Sequence, residues 1–233
     1  MNFKQRVKYL ILCILICSSL FSCSFFNRPP LYIQKHFTHR YDGGNSGIDS
    51  LIAINGYYTI AKPNIYRQYD KIFSTKYKVV QDTFYMNYVF FKDGIFLWNM
   101  SFNDCDSPKC ITAKLKKDGK DSLNRFYGNW GIYSVNGDTI IVQYIHKCSS
   151  LNDSWTAWES KFKVIDRKTI LEFDVRPLYR KSKSELIYWE NHKKGLKFEP
   201  ANFIPTEILP ASKTWLKKGK WIQKNKNNIK KDQ

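Results

Sequence analysis

Apolar positions along this chain follow two different rhythms. The first is one unbroken block: residues 9–21 read YLILCILICSSLF, thirteen residues without a charge, preceded by Lys4, Arg6 and Lys8. A helix needs about 20 apolar residues to cross a bilayer, so a shorter block behind a basic start predicts the core of an export signal. The second rhythm begins at Leu51 and repeats. Short runs rich in β-branched and aromatic residues are separated by turn residues, as strands are. Residues 51–61 form the first run. Residues 84–91 and 95–102 flank Lys92-Asp93-Gly94, and an Asp-Gly step between two such runs predicts a hairpin. Residues 132–135 and 139–145 flank Asn136-Gly137-Asp138 in the same way. Residues 158–165 and 169–175 flank Asp166-Arg167-Lys168, a turn without glycine.

Alternate residues of a strand share a face. Phe84, Met86, Tyr88 and Phe90 therefore form one set, and Phe96, Trp98, Met100 and Phe102 another, able to line one interior. The opposite faces carry Tyr85, Val89, Phe91, Ile95 and Leu97, so neither side is polar. A sheet covered on both faces, or a barrel with a plugged end, accounts for that. Few stretches show a helical period. Residues 199–212, with Pro200, Pro205 and Pro210, predict an extended crossing. Residues 24–50 hold Pro29-Pro30 and Asp42-Gly43-Gly44-Asn45-Ser46-Gly47, which predicts a tether. Serial hairpins in one mid-sized domain predict a mainly β fold. An antiparallel up-and-down barrel fits, with a β-sandwich as the alternative.

The end of the apolar block adds chemistry. Leu20-Phe21-Ser22-Cys23 resembles the lipobox of bacterial lipoproteins, with Leu20, Ser22 and Cys23 matching and Phe21 in the tolerant position. The resemblance implies a diacylglycerol thioether on Cys23, cleavage before it and a third acyl chain on the new amine. Ser24 is not the Asp that holds lipoproteins in the inner membrane in one sorting system, so the resemblance implies the outer membrane, in either leaflet. Each buried CH₂ of an acyl chain contributes about 0.8 kcal/mol, so several chains anchor firmly. The organisation read from the sequence is a signal over 1–22, a tether over 23–50, a β domain over 51–221 and a basic tail over 222–233.

Charge narrows the partners. The full chain carries 38 Lys+Arg against 20 Asp+Glu. The signal removes three basic residues, which leaves a net charge of +15. Residues 213–233 hold eight Lys and one Asp, so this end alone is +7. Basic proteins often bind nucleic acid. Export and the lack of any zinc-finger or RNP-type motif exclude that class here. The anionic partners at hand are phospholipid head groups and lipopolysaccharide phosphates, and a Lys near such a surface gains about 1 kcal/mol. A solvated tail that serves solubility is the other reading.

A second resemblance concerns the β domain. Asn55-Gly56-Tyr57-Tyr58 is similar to the Gly-x-Trp that opens the first strand of lipocalins, with Tyr58 in place of Trp. Tyr127-Gly128-Asn129-Trp130-Gly131-Ile132-Tyr133 with Gly137-Asp138-Thr139-Ile140, and Trp215-Leu216-Lys217-Lys218-Gly219-Lys220-Trp221, resemble the middle and end of bacterial lipocalin-like lipoproteins. The resemblance implies a cup-shaped barrel and no single ligand.

Candidate sites are few. Cys105, Cys110 and Cys148 remain in the β domain, and the envelope permits disulfides. Cys105 and Cys110 can close over the Ser107-Pro108 turn. A loop that small contributes roughly 2 kcal/mol, against roughly 4 for a bridge to Cys148. Either pairing leaves an odd thiol. The three do not supply a fourth metal ligand. His36 and His39 lie in the tether segment, His146 ends a strand and His192 sits in a polar stretch, all fitting surface histidines. Asp104 and Asp106 near a turn fit solvated acids. No nucleophile motif and no phosphate loop occurs, so no catalytic residue and no cofactor or metal is expected. The aromatic faces remain. Met86, Tyr88, Phe96 and Trp98 fit either packed core or the lining of a pocket for an apolar or lipidic molecule. The expectation is a lipid-anchored binding module; the alternative is an interaction protein with a filled core.

Overall fold

The computed structural model describes residues 29–69, 77–98, 107–118, 129–147, 155–179 and 183–223, except 208, 210, 211 and 213. Eight antiparallel strands close in sequence order into one barrel, β1 to β8. They are β1 (Gly56–Tyr69), β2 (Tyr77–Phe90), β3 (Ile95–Trp98), β4 (Trp130–Asn136), β5 (Thr139–Lys147), β6 (Trp155–Asp166), β7 (Thr169–Pro177) and β8 (Pro200–Pro205). The up-and-down barrel expected from the serial hairpins is therefore the fold, not the sandwich.

The three tight turns lie at one end. Residues 91–94 join β2 to β3, with Gly94 at φ 86°. Gly137-Asp138 joins β4 to β5, with Gly137 at φ 60°, and Arg167-Lys168 joins β6 to β7. A left-handed residue in a short hairpin matches the strand twist, which is why glycine stands at the first two. The longer connections leave from the other end of the barrel.

Each strand feeds two cores. Facing inward, Tyr58, Tyr88, Phe90, Phe96, Tyr133, Val142, Phe162 and Ile170 pack together. Facing outward, Tyr57, Val89, Ile95, Leu97, Trp130, Ile132 and Ile145 pack under a second layer. That layer is Ile33 and Phe37 from helix α1 (Leu31–His36) and its end, Ile111 and Leu115 from α2 (Pro108–Asp118), and Leu216 and Ile222 near the chain's end. The two-sided hydrophobicity of β2 and β3 is thus explained: one face fills the barrel and the other is covered from outside.

Four expectations change. Residues 29–50 do not run as a free tether, because Ile33, Phe37 and Ile48 are fully buried. The 3₁₀ turn Ile48–Ser50 and Ile52 close the tight-turn end, where Ala53 N–H donates to Arg167 C=O at 2.7 Å. The first strand starts at Gly56, not Leu51, and continues through Pro63. Pro63 lies beyond Thr59, the last β1 residue paired with β8, so its missing N–H interrupts no ladder on that side. The proline-marked crossing over 199–212 contains β8, whose prolines stand at its two ends. A third helix, α3 (Lys183–Lys194), precedes β8. No helix among the described residues is long and apolar enough to cross a membrane.

Candidate functional site

The plugged end of the barrel is solid, and the other end is not. A cavity of about 330 Å³ opens among Met86, Trp98, Tyr144, His146, Trp158 and Glu172, with Lys62, Val175, Trp189, Lys197 and Phe198 also on its wall. Ligand pockets for small molecules begin at roughly this size. Its walls come from β1, β2, β3, β5, β6 and β7 and from residues 189–198 after β7. Trp98 and Tyr144 stack nearly parallel, with ring centroids 5.3 Å apart. The wall is largely aromatic, with Thr156 Oγ1 already taken by Trp158 Nε1–H at 3.1 Å.

Helix α3 lies against this mouth. Trp189 meets Trp158 edge to face at 4.9 Å. Lys193 Nζ donates to Asp174 Oδ1 at 2.5 Å, and Lys161 reaches the other oxygen at 3.7 Å. Burial works against the Asp174 charge, but Lys193, Lys161 and Arg176 outweigh it and hold the carboxyl below its ordinary value. The Trp158–Trp189 contact and the Lys193–Asp174 ion pair both fasten the helix to the barrel.

A bulge in β7 sets which side chains enter the cavity. Phe162 pairs with Glu172 and Lys161 with Asp174, so Phe173 is the extra residue. Glu172 keeps the inward face of Ile170, Asp174 turns outward to its lysines, and Val175 returns to the wall three residues after Glu172. Burial pushes the Glu172 carboxyl above its ordinary value, against the pull of the Ser160 hydroxyl, the Lys62 ammonium and the Tyr88 hydroxyl. Tyr88 Oη donates to Glu172 Oε2 at 3.3 Å. Burial also raises the Tyr88 and Tyr144 phenols, which stay protonated hydrogen-bond donors. His146 sits with Nδ1 2.7 Å from Asn129 Oδ1, its ring edge-on to Trp98, and burial lowers its pKa.

The aromatic set expected to line one interior divides in two. Tyr88, Phe90 and Phe96 are core, with Tyr88 meeting Phe162 at 5.1 Å and Phe90 meeting Phe96 at 5.0 Å. Met86 and Trp98 line the cavity. Phe84 is 39% exposed and Met100 and Phe102 lie outside the described residues. The sequence reading missed Glu172, Tyr144, Trp158, Trp189 and Lys62 as wall residues. For Glu172 the signal was available: an acid stands two places after Ile170, on the inward face.

Other candidates scatter. Cys110 lies in the first turn of α2 and is disulfide-bonded to a cysteine outside the described residues, which include neither Cys105 nor Cys148. Cys23, Asp104, Asp106 and residues 224–233 also lie outside them. His36 and His39 do not meet: His36 Nδ1 faces Tyr32 C=O at 2.7 Å, and His39 Nδ1 faces Ile132 C=O at 3.2 Å. Among the described residues no group of three His, Cys, Asp or Glu is placed to hold a metal ion. Trp215 and Trp221, at the start of the Lys-rich end, pack edge-on to Trp155 at 5.7 Å and Phe37 at 5.5 Å. Trp215 belongs to a 3₁₀ turn, Trp215–Lys218, not to a closing strand. A shallower depression between α2 and β8, lined by Lys109, Thr112, Lys116 and Pro205, is wide open and has neither an acid nor an aromatic ring.

Comparison of the chain with protein-family models, with curated proteins and with solved structures finds no match in any of the three.

Proposed function

We propose that this chain is a lipid-anchored binding protein of the cell envelope whose lipocalin-like barrel holds one small, mainly apolar molecule. One observation carries the reading: the barrel is packed solid at its plugged end yet keeps a cavity of about 330 Å³ at the other, walled by indole, phenol and thioether groups. A protein that needed only a stable core would gain from filling that space, because empty apolar volume lowers stability. The cavity size suits a single small molecule better than a whole diacyl lipid. The anchor is the acylated Cys23, and the Lys-rich end adds an electrostatic contact with anionic head groups or lipopolysaccharide. The packed Trp215 and Trp221 leave that contact to the lysines.

Two experiments test the two halves. Native mass spectrometry of the full chain isolated from its own cells should show a bound small molecule. A ligand-free protein that also refuses neutral apolar dyes removes the binding half. Metabolic labelling with a fatty-acid analogue should mark the wild type and not a Cys23→Ser variant. Equal label on both removes the anchor half.

A further inference from the structure

Glu172 is out of place in a pocket for a purely apolar molecule. Among the described residues it is the one acid on a wall of mainly aromatic and apolar side chains that also carries Lys62 and Lys197, and burial pushes its carboxyl upward. Acids in such surroundings are paired, or they shed their charge. Asp174, two residues along, shows what pairing looks like in this protein: an ammonium at 2.5 Å and a second at 3.7 Å. Glu159, facing outward on β6, has Arg176 at 2.6 Å. Glu172 has no such partner among the described residues. Its hydrogen bond from Tyr88 Oη is long, at 3.3 Å. Lys62 lies on the same wall, near enough to favour the ionised carboxyl but not in ion-pair contact with it.

The surroundings specify what would complete the site. Trp98, Trp158 and Trp189 border the same space as Glu172, and Tyr144 stacks beneath Trp98. Indole faces attract cations through their quadrupole, most strongly where water is excluded. Resting on the binding reading above, we infer that the ligand is an organic amine: a compact apolar or ring-bearing body with one protonated nitrogen, which sits on Glu172 while the body lies among the three indoles. An anionic ligand would meet Lys62 and the exposed Lys197 but would set its charge against a carboxyl already short of solvation. A neutral ligand would leave that carboxyl with the long Tyr88 hydrogen bond and no counter-charge in contact. His146, Thr156 and the Tyr144 phenol, also on the wall, carry no fixed charge when neutral and do not oppose a cation. Lys197 is a second ammonium on the lining, but it is exposed and its charge is solvated. Steering by the whole chain's positive charge works the other way. The site therefore selects by contact at Glu172 and the rings, and its preference strengthens as salt rises and screens the rest.

The test uses the full chain and three probes of one shape by isothermal titration: tryptamine as the cation, 3-ethylindole as the neutral form and indole-3-propionate as the anion. N-phenyl-1-naphthylamine reports cavity occupancy independently. Tryptamine is expected to bind about 10- to 100-fold more tightly than 3-ethylindole, the scale of a hydrogen bond to a charged group. Glu172→Gln should remove most of that margin while leaving 3-ethylindole within about twofold. Equal binding of tryptamine and 3-ethylindole overturns the amine assignment, as does a preference for indole-3-propionate. An equal loss of both indoles in the Gln variant overturns it too. In each of those cases, naphthylamine binding shows that the cavity still takes ligands. Wild-type protein that binds neither the naphthylamine nor any indole overturns the binding function itself.

Discussion

The Trp189 ring stands edge-on to the Trp158 ring at 4.9 Å, and this contact joins helix α3 at the mouth to the barrel wall. Such a pair contributes roughly 0.5–1.5 kcal/mol beyond its buried area. Trp189→Ala should therefore speed amide exchange over residues 183–194 by about two- to tenfold. Exchange in β4, which contributes nothing to the cavity wall, should stay unchanged. Uniform acceleration across the barrel would show that α3 is part of the global folding unit and not a separately opening cover.

Glu172 gives a pH signature with a definite sign. Its folded-state pKa lies above its ordinary value of 4.5. Below that ordinary value the carboxyl is protonated in both states, so it costs nothing. As pH rises from there through the folded pKa, the unfolded chain releases its proton first, and stability falls. Glu172→Gln removes this penalty. The variant should melt higher than wild type at pH 7, with the gain shrinking toward zero below about pH 4. A gain that persists undiminished at low pH would trace to packing instead of ionisation.

The same residue shows how far the sequence could be read. The hairpins were legible because Asp93-Gly94 and Asn136-Gly137 name their turn, and those glycines do adopt positive φ. The barrel followed from their repetition. Helix α3 was not legible: Leu186, Ile187, Tyr188 and Trp189 are contiguous in the sequence, so no 3.6-residue period appears. β8 was hidden by Pro200 and Pro205, which stand at strand ends where no ladder bond is required of them. In β7, alternation places Glu172 inward with Ile170, but it also places Asp174 inward. Only the bulge at Phe173, a tertiary feature, sends Asp174 out and Val175 in. The packed segment 29–50 was misread because its polar turns outnumber Ile33, Phe37 and Ile48, the residues that fix it.

That segment is held by Gln143, which is 2% exposed. Gln143 Oε1 accepts the Thr38 and His39 backbone N–H groups at 2.8 and 2.9 Å. Its Nε2 donates to Thr38 Oγ1 at 2.8 Å and to Glu159 Oε2 at 2.9 Å. Gln143→Leu keeps the volume and strands these groups. With each stranded buried group costing about 1–3 kcal/mol, a loss of at least roughly 2 kcal/mol is expected in urea unfolding. Proteolysis near residues 37–41 should appear before the barrel unfolds. A midpoint shift within error would mean that water replaces the amide at no cost.

Phe96 and Trp98 lie two residues apart on β3, face the same way and should respond oppositely to truncation. Phe96 is fully buried and touches Tyr88, Phe90, Tyr144 and Phe162 ring to ring. Its removal leaves a hole that the closed end of a barrel cannot collapse around, because the hydrogen-bonded strands fix the wall. Phe96→Ala should cost about 3–5 kcal/mol. Trp98 has the stacked Tyr144 on one side and the cavity on the other. Its removal forfeits the Tyr144 stack and the His146 edge contact and joins new space to space already open, so Trp98→Ala should cost about 1–2 kcal/mol. Binding should reverse the order. Among variants that remain folded, Trp98→Ala should weaken N-phenyl-1-naphthylamine several-fold or more, whereas the milder Phe96→Leu should leave its affinity near wild type. Urea titration and dye titration on the same preparations decide it. Equal destabilisation by the two Ala variants would mean that the mouth is packed core in solution, and the alternative of an interaction protein with a filled barrel would then be the better account.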